Sequence, residues 1–548
     1  METQEKQSET DLLVSDLIIK QKPVQCILRK SSILWKETSA TSKKPPTEVR
    51  LNDVVGVEQH KSQQNCFILY TFPLSNPKST NRERKIFPFL CPDNEITQKW
   101  IKGIRCALRG VTLESEPPMY RLTIFVNPAG GKGKALEVWN SVKEMFEIAD
   151  VRVTVIQTTH AGHAYSYCNT MDTTATDGVV CVSGDGLLYE VVNGIMKRPD
   201  WETAIKLPLG IIPGGSGNGL AASLGAGDAL NAAFHIIKAH VHPLDLWSVL
   251  YANGEQRAYT FLSLTWSTVA EIDKESEKYR WMGNARFTFT GVKKIVEGKR
   301  KHTAKLSYLI DVEHEKQIQQ ELSNNPSPTR NRSLSVPIKV AGNKIQQSTQ
   351  HSKCHVTASS TICPTCSPGV RRLELSSSQT NSNSNSNTDS QPDNSNDNQP
   401  NETKDETNSI PSGPPLKYLN NPIYKEQFVS TEGDFDFLIM TNVGKLSTTV
   451  HAAPFAHLND GFMDLIFAKK LNRAKLTQLL LALDSGEFVS MKDIEYHKVK
   501  AIVFEPVVDT GVIMLDGEPL AVQPVQVEVH NSLATVFAPP VEPSKGAI

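Results

Sequence analysis

The sequence predicts an α/β protein centred on a doubly wound domain over residues 118–250. A β-rich, sandwich-like domain follows over 251–313 and 416–540, and a small β-barrel closed by a C-terminal helix precedes it over 1–115. Three observations carry this. Between Leu122 and Ala221, apolar runs lead repeatedly through turns into helical patterns, the alternation of a parallel sheet with helices on both faces. Three of those turns are rich in glycine and fall at the carboxyl ends of their strands. On either side, short apolar runs broken by polar or proline-containing turns take over.

The 548 residues suffice for two or three domains. Lys+Arg number 58 and Asp+Glu 59, so no global basic field exists and nucleic acid is excluded as the expected partner. The nine cysteines are scattered and nothing resembles a secretory signal, which predicts a reduced, cytoplasmic setting. No apolar run is long enough to span a membrane, so work on lipids is expected from a peripheral position on the membrane surface.

In the first segment, Leu17–Ile19, Gln25–Leu28, Ile33–Trp35, Val54–Val57, Cys66–Tyr70 and Lys85–Leu90 read as strands. A helix follows with Ile96, Trp100, Ile101, Ile104 and Leu108 on one face and Asp93 or Asn94 as its cap. Strands closed by a Trp-bearing helix resemble a pleckstrin-homology-like barrel. Lys20, Lys22, Arg29 and Lys30 offer charge to anionic head groups, although a solvated rim is the simpler reading.

The second segment opens with the buried-strand run Leu122–Val126. It enters Asn127-Pro128-Ala129-Gly130-Gly131-Lys132-Gly133-Lys134 and a helix whose face carries Val138, Trp139, Val142, Met145 and Phe146. No Gly-Lys-Ser/Thr stands at Walker A spacing, and Leu136 replaces the third glycine of the dinucleotide fingerprint. Arg152–Ile156 is the next strand, ending in a turn from Thr158 to Ala164 that contains His160 and His163. Capping accounts for that histidine pair better than zinc, because no Cys or acid is spaced to complete a site. Val180–Val182 then runs into Ser183-Gly184-Asp185-Gly186 and a helix with Leu187, Leu188, Val191, Val192 and Ile195 inward. Leu207–Ile212 runs into Pro213-Gly214-Gly215-Ser216-Gly217-Asn218-Gly219 and a further helix. Amides at helix starts beside glycine turns favour an anion such as phosphate. A carboxylate there, Asp185, either orders Mg²⁺ or takes a proton from an attacking hydroxyl.

Three motifs, Asn-Pro-x-Gly-Gly-Lys-Gly, Ser-Gly-Asp-Gly-x-x-x-Glu-Val-x-Asn-Gly and Pro-Gly-Gly-Ser-Gly-Asn-Gly-Leu-Ala, together resemble the diacylglycerol-kinase-type lipid kinases, and among them the sphingosine kinases. The resemblance implies ATP, with Mg²⁺, bound between the doubly wound nucleotide-binding domain and a β-rich lipid-binding domain. It implies that Asp185 deprotonates the lipid hydroxyl. Asn127, Pro128, Ala129 (through its backbone), Thr158, Thr159, His160, Ala161, Gly162, Ser183, Glu190, Gly215, Ser216 and Gly217 would line the nucleotide. The turn Ser183, Gly184, Asp185, Gly186 would also face the lipid.

The run Asp273-Lys274-Glu275-Ser276-Glu277-Lys278-Tyr279-Arg280 reads by itself as an exposed, charge-alternating helix. By resemblance to the sphingosine kinases, Arg280 and Arg286 reach the ATP phosphates and Asp273 holds the ammonium of a sphingoid base. A guanidinium fork matches phosphate oxygens. A carboxylate facing the head group favours an amine and is left unpaired by a neutral lipid such as ceramide or diacylglycerol. Phe261–Trp266 and Phe287–Phe289 are candidates for the acyl pocket or for core. Residues 286–302, with Lys293, Lys294, Lys299, Arg300 and Lys301 beside Val292, Ile295 and Val296, can dock on a membrane or on calmodulin, though a solvated helix end is the plainer reading.

Residues 314–415 are dominated by Asn, Ser, Thr, Asp and Pro and predict a disordered insertion between two strands of one domain. His351, Cys354, His355, Cys363 and Cys366 lie there, a weak zinc pattern without a second Cys pair. Structure resumes at Phe435–Met440 and Leu458–Phe467, where Asp460-Gly461 before an alternating run is a hairpin-like signal, followed by an apolar helix at Lys475–Leu483 and strands at Val499–Phe504 and Val512–Leu515. The triplet Asp516-Gly517-Glu518 is a hairpin turn by itself, and phosphate-side or metal-side groups by resemblance. Besides a sphingosine kinase, a ceramide or diacylglycerol kinase and an inactive lipid-binding scaffold are the alternatives.

Overall fold

The computed structural model describes residues 10–39, 44–76, 81–215, 217–282, 285–298, 302–311, 371–372, 413–507 and 511–540; the side chains of Gly131, Lys132, Arg280, Arg371 and Arg372 are outside that description. The candidate zinc residues and most of the insertion therefore lie outside the described residues, as do Ser216, Lys299, Arg300 and Lys301.

The first seven strands are β1 (Asp11–Ile19), β2 (Lys22–Arg29), β3 (Ser32–Glu37), β4 (Thr47–Arg50), β5 (Val54–Gln59), β6 (Cys66–Thr71) and β7 (Lys85–Leu90). They form one sheet in the order β4-β3-β2-β1-β7-β6-β5, two meanders joined where Ile18 pairs with Leu90. Helix α1 (Asn94–Arg109) closes it. Asp93 caps that helix by accepting from the Ile96 amide at 2.8 Å, and Gly110 ends it at φ 72°, where an L side chain is disfavoured. Trp100 is buried, stacks on Phe67 at 5.9 Å and donates from Nε1 to Ser15 Oγ at 3.1 Å. The four basic residues do not gather into one patch. Lys22 pairs with Glu37 and Arg29 with Asp11, and these lie at opposite ends of β2.

The alternating segment supplies β8 (Tyr120–Val126), α2 (Gly130–Gly133), α3 (Ala135–Ile148), β9 (Val151–Gln157), α4 (His163–Thr170), β10 (Val179–Ser183), α5 (Asp185–Met196), α6 (Trp201–Ala204), β11 (Leu209–Pro213), α7 (Gly219–Ser223) and α8 (Ala229–Ile237). Its four strands are parallel in the order β11-β10-β8-β9. Val182 is level with Val126, Val126 with Gln157, and Ser183 with Pro213. The register thus brings all four carboxyl ends to one sheet edge.

The seven-stranded sheet and α1 are joined to this unit by a shared core. Val55, Tyr70 and Phe72 from that first unit pack in the same apolar cluster as Phe146, Ile148 and Phe234. The buried Lys238 donates to the carbonyls of Leu51 at 2.8 Å and Val54 at 3.0 Å, and the Arg82 guanidinium lies 3.7 Å over the Phe234 ring. Gly56 lies so close to the Ile148 carbonyl that a Cβ there would collide with it.

The second half contains β12 (His240–Tyr251), β13 (Gln256–Thr260), β14 (Ser263–Ser267), α9 (Thr268–Ser276), α10 (Ala285–Glu297), β15 (Thr303–Ile310), β16 (Arg371–Arg372), α11 (Pro422–Lys425), β17 (Val429–Thr441), β18 (Met463–Lys469), α12 (Arg473–Leu481), β19 (Ile494–Pro506), β20 (Ile513–Leu515), β21 (Glu518–Leu520) and β22 (Val525–Phe537). Strands β15 and β17, on either side of the insertion, pair antiparallel. The β-rich half is not a separate sheet. Strand β22 pairs antiparallel with β12 and β19 and, at Leu209↔Val536, parallel with β11, so the chain's last strand continues the doubly wound sheet. Among the described residues no helix is long and apolar enough to cross a membrane, and the six described cysteines are free and buried.

Candidate active site at the junction of the two halves

The three glycine turns meet. A Cβ on Gly130, in the first turn, would lie 2.8 Å from Ser183 Oγ in the second. A Cβ on Gly184 would lie 2.7 Å from the Gly217 carbonyl, and one on Gly215 would lie 2.6 Å from the Gly184 amide. Gly184 and Gly215 are glycine because backbone packs on backbone there, and Gly130 because the Ser183 side chain crowds its Cβ position, not because of their φ angles. The Gly214 amide donates to the Ser183 carbonyl at 3.0 Å, and Asn218 Nδ2 donates to the Gly215 carbonyl at 2.7 Å. In the first turn, Asn127 Oδ1 accepts from the Ala129 amide at 3.0 Å, beside Pro128. The fourth turn joins them. The Thr158 amide donates to the Val126 carbonyl at 2.9 Å, and Gly162, at φ 82°, opens α4 after Thr159, His160 and Ala161. Glu190 ties this turn to α5 by accepting from the Ala164 amide at 3.2 Å. The His160 and His163 rings stack at 5.1 Å, and among the described residues no group of three His, Cys, Asp or Glu is arranged to hold a metal ion.

Asp185 begins α5 and is buried. Its carboxylate accepts from the Gly219 amide at 2.6 Å and the Leu220 amide at 3.2 Å, at the start of α7. Burial pushes its pKa up to about 7, the two amides oppose the rise, and the neighbouring Asp516 adds to it. A carboxylate so placed is oriented by two donors and titrates near neutrality, which suits a general base.

Asp516 departs from its sequence-based role. It is buried and accepts from Thr260 Oγ1 and from the amides of Phe261 at 3.1 Å, Leu262 at 3.1 Å and Ser263 at 2.8 Å. Its oxygens are thus engaged by the chain between β13 and β14, so it anchors that connection rather than offering itself to phosphate or metal. Burial lifts its pKa to about 6 against those donors. Gly517 follows at φ 84°, and Glu518 Oε1 sits 2.9 Å from where a Gly186 Cβ would stand. The Asp-Gly-Glu turn therefore meets the opening of α5 across 330 residues of chain, and Glu518 is its member nearest the glycine turns.

In the second half, Asp273 is half-buried on α9, a helix packed on β14, β17 and β20. Arg286 is buried, pairs with Glu277 at 2.5 Å and lies over Phe287 at 4.5 Å, so its guanidinium is engaged within the protein and not aimed at the glycine turns. The basic stretch is largely neutralised where it is described. Lys293 pairs with Glu275 and Glu297, and Lys294 with Glu275 at 2.9 Å and Glu271 at 3.4 Å. Phe261, Leu264 and Trp266 are core residues, whereas Phe289 is 45 % exposed. Sequence reasoning missed the Gly219 and Leu220 amides and the Thr260–Ser263 donors. Backbone groups leave no side-chain signature, so no signal pointed to them.

A sheet-edge cradle with a helix-start carboxylate, closed by a turn from a second β-rich half, defines a nucleotide-dependent phosphotransferase. The diacylglycerol kinase catalytic domain family matches residues 121–249, and the YegS C-terminal NAD kinase beta sandwich-like domain family matches residues 430–538. Sphingosine kinase 2 of Arabidopsis thaliana is 31 % identical over 446 residues, covering 76 % of this chain and 76 % of its own. Sphingosine kinase 2 of Homo sapiens is 29 % identical over 555 residues, covering 86 % and 81 %. The chain belongs to the sphingosine kinase family, of the diacylglycerol-kinase type.

Proposed function

We propose that the chain transfers the γ-phosphoryl of ATP to the primary hydroxyl of a sphingoid base, with Asp185 as the general base. The observation that carries this is Asp185 itself, held by two amides at the meeting point of three glycine turns. The ionised carboxylate takes the hydroxyl proton as the oxygen attacks the phosphorus in line, and the bond to the β-phosphate oxygen breaks. Amides at the openings of α2 and α5 would hold phosphate oxygens, those opening α7 being taken by Asp185, and close packing leaves no room for a Cβ at Gly130, Gly184 or Gly215. Mg²⁺ would neutralise charge on the transferring phosphates. Glu518, whose Oε1 lies beside Gly186, is the candidate to hold it. Arg280 would complete the phosphate contacts, and Arg286 would join them only on leaving Glu277.

Asp273 would select the amine head group, on a helix that packs on the strand leading into Asp516. An assay with labelled ATP and sphingosine, ceramide and diacylglycerol in parallel should show sphingosine preferred. Asp273→Ala should then cost sphingosine about 10- to 100-fold in kcat/KM, as for a lost hydrogen bond to a charged group, and the neutral lipids little. Equal losses on all three would favour a ceramide or diacylglycerol kinase.

The reading extends to peripheral membrane contact. Phe289, Val292 and Val296 are 45 %, 55 % and 73 % exposed along one side of α10, and Trp281 and Leu481 are exposed on the neighbouring elements. Such an apolar stripe suits a bilayer surface better than calmodulin, given the neutralised lysines. We assign the pleckstrin-homology-like description to the first seven strands and α1 on their two-meander order and capping helix. Val292→Glu with Val296→Glu should reduce co-sedimentation with vesicles by about tenfold, and unchanged binding would remove the stripe from this role.

A further inference from the structure

Asn193 lies two turns along α5 from Asp185 and touches none of the glycine turns in any described contact. Its Nδ2 donates to the carbonyls of Tyr259 at 2.8 Å and Tyr189 at 2.9 Å, and its Oδ1 accepts from the Tyr259 amide at 2.8 Å. Strand β13 pairs with β12 along its other edge, so the carboxamide stands where a further strand would. The residues after Tyr259 are Thr260 to Ser263, whose hydroxyl and amides hold Asp516. Two residues beyond Asp516, Glu518 lies against Gly186. The contacts close a ring from Asp185 down α5 to Asn193, across to Tyr259, along to Ser263, over to Asp516 and back to Gly186.

We propose that Asn193 is a positioning residue for phosphoryl transfer, fixing α5, and with it the Asp185 carboxylate, against the strand end that carries Asp516. This rests on the reading of Asp185 as the base. A planar carboxamide offers donor and acceptor side by side, so it resists both rotation of α5 and its sliding along β13. Aspartate offers only acceptors until it is protonated, and alanine offers neither. The titratable and charged groups around the ring are Asp516 from the β20–β21 turn, Glu518 opening β21, Tyr189 and Glu190 from α5, Tyr251 from β12, and Tyr259 from β13 with the Arg257 guanidinium over its ring, while α7 contributes amides alone.

The test uses full-length wild type, Asn193→Ala, Asn193→Asp and Asp185→Asn, with kcat, KM for ATP and the pH profile on sphingosine scaled to the folded fraction. Asn193→Ala should lose about 100-fold in kcat, the cost of a small misplacement at the reacting centre, while KM for ATP moves by less than about threefold. Asn193→Asp should approach wild type as its own carboxyl is protonated and regains the donor. A folded Asn193→Ala with wild-type kcat overturns the proposal, whether or not KM for ATP is raised. If Asn193→Ala does not fold, Asn193→Asp decides: a ratio to wild type that fails to improve on acidification overturns it. Turnover by Asp185→Asn would remove the base assignment itself, which a silent Asn193 variant does not touch.

Discussion

Asp185→Asn loses turnover by about 10²–10⁴-fold, the usual worth of a positioned general base, while ATP binding survives. The amide keeps an oxygen for one of the two amide donors at the start of α7 but cannot take a proton from the lipid hydroxyl. The wild-type pH profile is the companion measurement. Burial, with Asp516 adding, lifts Asp185 to about 7, and the base works only when ionised. Activity should therefore climb with pH through an acid limb near neutrality, not near the ordinary carboxylate value. The stability sign runs the other way. With its folded value above its unfolded one, Asp185 favours the folded state most at low pH, and that contribution fades as pH rises through about 7. Asp185→Asn should thus fold at least as well relative to wild type above neutrality as below it. Wild-type turnover in this variant would end the assignment.

Gly215→Ala is the second large effect. Its Cβ would stand 2.6 Å from the Gly184 amide and 2.7 Å from Gly184 Cα, and neither is a side chain that can swing aside. The second and third glycine turns must separate, so kcat/KM for ATP should drop about 100-fold or more, and overpacking should cost about 1–3 kcal/mol of stability. Gly217→Ala is the contrast, because no other group lies within 4 Å of its Cβ position. It should melt like wild type. Steady-state kinetics with ATP varied and thermal unfolding of both variants check this, and an unchanged KM for ATP in Gly215→Ala would dismiss the shared cradle.

Local chemistry was legible in the sequence, and long-range chemistry was not. Leu122–Val126, Val180–Val182 and Leu207–Ile212 read as strands because apolar runs between turns have few other uses, and Asp93 reads as a cap from its place before the helical period. The convergence of the glycine turns followed from the alternation alone, since parallel strands in register end together. Asp516 is different. Its donors, the Thr260 hydroxyl and the amides from Phe261 to Ser263, sit 253 residues or more away, so nothing in Asp-Gly-Glu marks it as an anchor. Arg286 was assigned by resemblance to phosphate, yet a partner nine residues earlier, Glu277, holds it. Strand β22 could not be foreseen as part of the doubly wound sheet, because pairing with β11 is decided by tertiary contact and not by its own alternating pattern. Phe289 reads as core or acyl pocket by composition, and only the packing leaves it facing out.

The grip of the N-terminal sheet on the kinase carries a last consequence. With Val55, Tyr70 and Phe72 sunk into the kinase unit's interior and Lys238 of that unit latched onto the Leu51 and Val54 carbonyls, neither piece has a finished surface of its own. Cutting the chain after α1 would bare a greasy wound on both fragments. Denaturant or heat would meet them as one cooperative body, and any head group or protein clasping the N-terminal sheet would lend its binding energy to the enzyme's lifetime.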